Sequence, residues 1–285
     1  MRRSSALRGL ACAVLSAWAW TAASAPGGAA DRRPRILLSN DDGIAAPGLA
    51  AIYPELARLG EVTVAAPAEN QSGVGHGITY AEPIMMREIE PLVKADRPQG
   101  KWYRIAARPA TCVRLALNTL LGERPDLVVS GINRGDNAGL TLYVSGTLGA
   151  AREAAFDGIP SIAASQVTPP EEYQAGAAFV SRLATEVLHR GGVPRGTFLS
   201  VNIPAGEIKG VKVVPHGMSE GVNAYERRVN PRHETYFWNV WTEPTDETLD
   251  TDVGAIRHGY VSVTPLRIDV NDAGARKELE GWNLK

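Results

Sequence analysis

From residue 35 onwards, short apolar runs alternate with segments in which apolar residues recur at the period of a helix. The runs are apolar at nearly every position, which is typical of parallel strands that are covered on both faces. This alternation predicts an α/β fold, a Rossmann-like doubly wound sheet that is mostly parallel. The predicted strands are 35–39, 62–66, 102–106, 127–130, 161–164 and 198–201, and the predicted helices are 47–60, 109–121, 147–156 and 172–190.

The pattern changes after about residue 205, where strands are predicted at 211–215, 234–241 and 260–264 with no helix between them. We expect one or two hairpins there, projecting from a single α/β domain that spans residues 34–270, with about 205–265 as the extension. An aromatic cluster within it would pack either onto the core or onto another subunit. Its members are Tyr236, Phe237, Trp238 and Trp241.

Composition excludes two classes of protein. The chain has 285 residues, of which 44% are hydrophobic, enough to bury a core and to exclude a disordered chain. Three of the 30 basic side chains lie in the first 25 residues, which contain no acidic side chain. The rest of the chain therefore has 27 basic and 31 acidic side chains and is acidic overall. Long nucleic acids are therefore not expected as partners, because they need clustered Lys and Arg.

The N-terminus has the pattern of an export signal. Arg2 and Arg3 precede an apolar stretch at 10–20, and Ala23-Ser24-Ala25 is a small-residue cleavage pattern. We predict a signal peptide over residues 1–25 and an exported protein, periplasmic or secreted, with no membrane attachment after cleavage. The alternative is an uncleaved anchor, although the apolar part is shorter than the roughly 20 residues that a span needs.

Polar residues follow three of the predicted strands, in loops at 40–43, 70–77 and 131–139, and Ser145-Gly146-Thr147 then precedes a helix. In an open α/β sheet, ligands bind beyond the carboxyl ends of the strands. These loops therefore predict one site at one edge of the sheet.

Asp41 and Asp42 are adjacent carboxylates at the end of a buried strand. Such a pair is costly unless a cation neutralises it or one member is protonated. With the neutral oxygens of Ser72 and Asn133 as further candidates, the donor set suits one divalent metal ion, Mg²⁺ or Mn²⁺. The alternative is that the two aspartates cap the helix that follows.

The segment Ser145-Gly146-Thr147 has the pattern of an anion site, because the N–H groups at a helix start are unpaired and the helix dipole favours negative charge. The alternative is ordinary helix capping by the two hydroxyls. A metal ion beside a bound phosphate indicates phosphoester hydrolysis.

Several motifs together resemble the survival protein SurE family of metal-dependent nucleoside monophosphate phosphatases, in consistent order over roughly residues 34–270. They are residues 36–43 followed by Ala46-Pro47-Gly48, Ala66-Pro67 with Ser72-Gly73, Ser130-Gly131-Ile132-Asn133 with Gly135 and Asn137, Ser145-Gly146-Thr147, and residues 258–266.

The resemblance implies roles for these residues. Asp41, Asp42, Ser72 and Asn133 would be the metal ligands, and Asn137, Ser145, Gly146 and Thr147 would hold the phosphate. It also implies a homodimer or homotetramer with C-terminal hairpins exchanged, and 5′- or 3′-nucleotides as substrates, with short polyphosphate in some members. The aspartates are then catalytic together with His76, which we predict to be the proton donor to the leaving oxygen or otherwise a hydrogen-bond donor to the phosphate.

The chain departs from the family pattern at three places. One common family motif keeps only its proline and its cysteine here, in the segment Ala107-Arg108-Pro109-Ala110-Thr111-Cys112. In addition, His76 replaces a common asparagine, and Val144 replaces the usual tyrosine. These changes affect substrate preference rather than the metal set. Two alternatives to a nucleoside monophosphatase stay open, a periplasmic nucleotide- or phosphate-binding module without turnover and a hydrolase of polyphosphate or short oligonucleotides.

Overall fold

Parallel strands form the centre of the sheet, in the spatial order Trp102–Ile105, Glu61–Pro67, Arg35–Ser39, Leu127–Arg134, Ser161–Gln166 and Thr197–Ile203. The computed structural model describes residues 32–97, 99–167, 172–219, 222–242 and 248–284, so the predicted signal peptide lies outside the described residues. The central strands are β1 (Arg35–Ser39), β2 (Glu61–Pro67), β4 (Trp102–Ile105), β5 (Leu127–Arg134), β6 (Ser161–Gln166) and β7 (Thr197–Ile203), and β3 (Met86–Ile89) pairs antiparallel with β4 at the edge.

Helices cover both faces of this sheet. Alternate residues of β1 point to opposite faces, so Leu38 packs in one core cluster and Leu37 in the other. The first cluster includes α1 (Pro47–Leu59) and α4 (Gln174–His189), and the second includes α2 (Pro109–Leu115) and α3 (Gly146–Phe156). The prediction of a doubly wound, mostly parallel α/β fold is confirmed.

The C-terminal part departs from the sequence-based expectation. Two strands, β8 (Gly210–Val213) and β11 (Tyr260–Arg267), extend the main sheet, with β11 antiparallel to β7. The expectation that no helix separates the late strands is wrong, because α5 (Asp252–Arg257) directly precedes β11. Its six residues are too few to show a helical period, and α6 (Ala273–Glu280) follows β11.

A separate two-stranded antiparallel sheet, which we call the ribbon, consists of β9 (Val222–Val229) and β10 (Thr235–Trp241). Phe237 and Trp238 are 62% and 60% exposed, so the interpretation that these aromatic residues pack onto the core is wrong. None of the described helices is both long and apolar enough to cross a membrane. Cys112 is buried in the core, and this burial raises the pKa of its thiol.

Candidate active site

The loops that follow β1, β2 and β5 meet at the carboxyl edge of the sheet. The backbone N–H of Gln71 donates to the carbonyl of Asp41 (2.7 Å). The N–H of Arg134 donates to Oδ2 of Asp42 (3.0 Å). Three loops that are distant in sequence are therefore held together by hydrogen bonds that involve the two predicted metal-binding aspartates.

The first turn of α3 lies directly against Asp41. The Thr147 hydroxyl donates to Oδ1 of Asp41 over 2.6 Å, and both side chains are buried. A Cβ added at Gly146 would lie 2.8 Å from Cβ of Asp41, so only glycine permits this approach. The carboxylate and the helix N-terminus thus form one continuous polar surface.

Burial makes ionisation of the aspartate pair costly. Desolvation raises the pKa of Asp41 to about 6; the nearby charge of Asp42 also raises it, and the hydrogen bond from the Thr147 hydroxyl opposes the rise. Burial also raises the pKa of Asp42, against hydrogen bonding and attraction from Arg134. A bound cation would offset this cost, because it favours the charged form of both groups.

The alternative that these aspartates cap the next helix is wrong. The residue at the N-cap of α1 is Ala46, which makes no side-chain capping hydrogen bond, and Pro47 starts the helix. Proline suits the first helical position, where its missing N–H would have no helical partner. The aspartate side chains are therefore not used to begin α1.

The two neutral candidates differ in their placement. Asn133 is buried, and its amide nitrogen donates to the carbonyls of Arg134 and Gly135 at 3.2 and 2.9 Å, which leaves its amide oxygen as the acceptor. Ser72 has an exposed side chain and follows Gln71 in the loop bound to Asp41. The structure therefore brings the Ser72 backbone close to the aspartates, with its hydroxyl at the surface.

These donors fit a hard divalent cation. Two carboxylates with amide and hydroxyl oxygens are the ligand types that Mg²⁺ and Mn²⁺ prefer. Within the described ranges, no group of three or more His, Cys, Asp or Glu is placed to hold a metal ion.

The predicted phosphate-binding residues lie at the same edge. Ser145 caps α3, because its Oγ accepts from the N–H of Leu148 (3.2 Å), so the capping interpretation of this serine is confirmed. The cap uses the N–H of Leu148, and the backbone N–H of Thr147 interacts with the Asp41 carboxylate, so the helix start and this carboxylate share one polar surface of the kind that binds anions. Asn137 is held by the ends of β6 and β7, since its amide donates to Ser165 and its N–H to Asn202.

The side chain of His76 is held against α3 by two contacts. Its Nε2 lies 2.8 Å from Oε2 of Glu153, and its ring stacks on Phe156 with centroids 5.1 Å apart. Glu153 is seven residues beyond Gly146, or about 10 Å along α3. The imidazole therefore attaches the loop after β2 to the middle of α3 rather than to its first turn.

Glu153 was not identified from the sequence, although it is central to this packing. Its buried carboxylate also accepts from Arg114 of α2, at 2.6 and 3.1 Å. Burial would raise the pKa of Glu153, but the hydrogen bonds from His76 and Arg114 outweigh it and lower the pKa. The sequence feature that could have identified Glu153 is an acidic residue in a helix that is otherwise rich in small residues.

Asp252 was also missed. It is 1% exposed, and its carboxylate accepts from the N–H groups of Gly139 and Gly217 at 3.1 and 2.7 Å. Gly139 belongs to the loop that leads to α3, so Asp252 connects that loop to the start of α5. The short, weakly periodic sequence around α5 gives no sign of this contact.

Comparisons with known proteins identify relatives of this chain. The family model described as "Survival protein SurE" matches residues 36–223. A protein from Rhodopirellula baltica named "5'-nucleotidase SurE" is 40% identical over 256 residues, covering 88% of this chain and 99% of that protein. One of the same name from Moorella thermoacetica is 41% identical over 252 residues, covering 87% and 95%.

A solved structure agrees as well. The crystal structure of the SurE protein from Aquifex aeolicus matches with a TM-score of 0.75 and 37% sequence identity, and the match covers 87% of this chain and 98% of that one. The resemblance inferred from the sequence motifs is therefore confirmed, and the chain belongs to the SurE family.

Proposed function

We propose that this chain is a metal-dependent phosphatase that hydrolyses nucleoside 5′-monophosphates, and also 3′-monophosphates, to nucleoside and phosphate. The observation that carries the proposal is the buried Asp41 carboxylate in contact with the first turn of α3. The name of the relatives, 5′-nucleotidase, supports the same substrate class.

In this proposal Asp41, Asp42, Asn133 and Ser72 hold one divalent ion, Mg²⁺ or Mn²⁺. When bound, such an ion polarises a phosphoryl oxygen, lowers the pKa of a water and neutralises charge in the transition state. The chain itself supplies the oxygens and keeps the Asp41 carboxylate oriented through the hydroxyl of Thr147.

The substrate phosphate is proposed to bind at the start of α3. The N–H groups of Gly146 and Thr147 bind its oxygens, together with the hydroxyl of Ser145 and the side chain of Asn137. This binding orients the ester for in-line attack by water. Proton donation by His76 stays a prediction; in this structure Nε2 of its imidazole contacts Glu153.

The test is release of inorganic phosphate from a nucleoside 5′-monophosphate, with Mg²⁺ or Mn²⁺ added to chelator-treated protein. We expect release only with the cation and full reversal by fresh chelator. Equal release in excess chelator would contradict the metal-dependent mechanism. Nucleotide binding without phosphate release would favour the binding module, and faster release from tripolyphosphate than from nucleotides would favour a polyphosphatase.

We also propose that the protein is exported and that its 205–265 extension forms a homodimer or homotetramer. The leader pattern of residues 1–25 supports export. The exposed aromatic side chains of the ribbon support association. N-terminal sequencing of protein from the periplasm or medium tests the first proposal, and sedimentation analysis of the purified protein tests the second.

A further inference from the structure

A cavity of about 590 Å³ opens beside the candidate active site, between the loop after β2 and the loop after β4. Its volume lies within the range of small-molecule sites. Residues that line it include one with an aromatic ring, one with a guanidinium, one with a side-chain amide and two with carboxylates. These belong to Tyr80, Arg108, Gln71, Glu69 and Glu82.

The cavity borders the active site on two sides. The N–H of Gln71, a lining residue, donates to the carbonyl of Asp41 over 2.7 Å. Arg108, another lining residue, precedes Pro109, and a Cβ added at Gly146 would lie 3.1 Å from Cγ of Pro109. A molecule whose phosphate sits at the start of α3 therefore has this cavity as its neighbouring space.

The wall that carries Tyr80 and Arg108 is held by hydrogen bonds. The guanidinium of Arg108 donates to the carbonyl of Ile78 (3.2 Å), and its backbone N–H donates to the hydroxyl of Thr79 (3.0 Å). The N–H of Thr79 donates in turn to the hydroxyl of Thr111 at 2.7 Å. Arg108 and Thr111 therefore fix the position of the segment that carries Tyr80.

The groups on the wall suit a nucleoside. Tyr80 is 89% exposed, so its ring is free to stack against a planar base. The guanidinium of Arg108 offers a planar surface and hydrogen-bond donors. Carboxylates such as those of Glu69 and Glu82 accept hydrogen bonds from ribose hydroxyls and base amino groups.

The charges on the wall disfavour a second phosphate. Glu69 and Glu82 contribute two negative charges against the one positive charge of Arg108. Additional phosphate groups entering this space would meet net like charge, which costs binding energy. The cavity is therefore better matched to the uncharged part of a nucleotide than to a polyphosphate tail.

We propose that this cavity binds the nucleoside part of the substrate, with Tyr80 stacking on the base and the Glu69–Glu82 pair selecting monophosphates over polyphosphates. This inference rests on the proposed phosphatase function and assigns the residues that determine its specificity. Tyr80 and the two glutamates touch substrate but take no part in holding the cation or the scissile phosphate.

The first experiment separates base contact from phosphate chemistry by comparing two substrates. For Tyr80→Ala we expect KM for a nucleoside 5′-monophosphate to rise about tenfold with kcat nearly unchanged, because stacking is lost. Ribose 5-phosphate, which lacks the base, should show no change in KM. The matched control is Trp282→Ala, which removes an exposed aromatic ring outside both the cavity and the ribbon.

Equal changes for both substrates, or no change for either, would overturn the assignment of Tyr80. Failure of the wild type to release phosphate from any substrate is a different result, since it would contradict the proposed function itself. Because Tyr80 is so exposed, its replacement leaves the fold intact, and an unchanged thermal unfolding curve verifies this.

The second experiment tests the charge of the cavity. In the double variant Glu69→Gln and Glu82→Gln, we expect the ratio of kcat/KM for a nucleoside diphosphate to that for the monophosphate to rise about tenfold. The single-charge control is Glu88→Gln, an exposed residue of β3 that does not line the cavity and is ion-paired with Lys101. An unchanged ratio would overturn the role of the glutamate pair.

Discussion

The carboxyl edge of the sheet and the ribbon distribute polarity in opposite ways. At the edge, charged and polar side chains such as Asp41 and Thr147 are buried. On the ribbon, large aromatic residues such as Phe237 and Trp238 are exposed. Each region reverses the usual rule that apolar residues lie inside and charged residues outside.

The reversals have different physical meanings. Buried polar groups are costly unless they are paired, and at the sheet edge the Asp41 carboxylate is paired with the hydroxyl of Thr147, so its orientation is fixed before any ligand arrives. Exposed apolar groups have no such compensation, and a cluster of them marks a surface for association. Catalysis and association should therefore respond to different substitutions.

The strongest test of this separation is Asp41→Asn, which keeps the size of the side chain and removes its charge. We expect kcat/KM for a nucleoside 5′-monophosphate to fall more than about 10³-fold, because the main negative ligand beside α3 is lost. Phosphate release measures the effect, and sedimentation should show unchanged association. The control Asp96→Ala removes an exposed carboxylate. A fall in kcat/KM of less than tenfold in Asp41→Asn would contradict the assignment of Asp41 as a metal ligand.

A weaker effect is expected for Thr147→Val, which replaces the buried hydroxyl by a methyl group of similar size. Without the 2.6 Å hydrogen bond, the Asp41 carboxylate loses its fixed orientation. We expect the affinity for Mn²⁺ to fall about 10–100-fold. Isothermal titration calorimetry measures the affinity for Mn²⁺, and the control Thr147→Ser should restore most of it because the hydroxyl is kept. Equal affinity in Thr147→Val and the wild type would show that this hydrogen bond does not position the metal ligand.

A smaller effect on activity, with a larger one on stability, is expected for Glu153→Gln. Loss of the charged partner of His76 and Arg114 should reduce the free energy of unfolding by about 1–3 kcal/mol at pH 7. Because the folded-state pKa of Glu153 is lowered, its contribution exists above the ordinary glutamate pKa and is lost as pH falls through the folded value.

Thermal unfolding between pH 7 and pH 3 checks this sign. The difference in melting temperature between wild type and Glu153→Gln should shrink as the solution becomes more acidic. A difference that grows towards low pH would contradict the account, and Glu186→Gln, at an exposed ion pair of α4, is the matched control.

The smallest effect on activity is expected on the ribbon. The double variant Phe237→Ser and Trp238→Ser should keep kcat/KM within about twofold per subunit, while it weakens self-association. Sedimentation and phosphate release at matched concentrations measure the two properties. The control Val213→Ser changes an exposed apolar residue of β8. If the ribbon variant lost activity without losing self-association, the conclusion that the two regions have separate functions would be wrong.

The central fold and the grouping of the three loops could be predicted from the sequence. Apolar strands alternating with helices imply a parallel sheet, and such a sheet brings the loops after its strands to one edge. Asp41, Asp42, Asn133 and the start of α3 come together for this topological reason.

The remaining contacts depend on packing that local pattern does not encode. The ring of His76 was expected near the phosphate, but its partner is Glu153, which lies in a different element and is identified only once α2 and α3 pack together. Strand β3 was missed because it is short and mostly exposed. Helix α5 was missed because six residues hold less than two helical turns.

The contacts of Asp252 lie at the stem of the ribbon. The N–H of Asp252 donates to the carbonyl of Pro215, and its carboxylate accepts from the N–H of Gly217. The segment that precedes the ribbon and the segment that follows it are therefore hydrogen-bonded to each other. The same carboxylate holds Gly139 in the loop before α3. A segment that is closed at its base in this way is able to change in length during evolution without displacing the loop before α3.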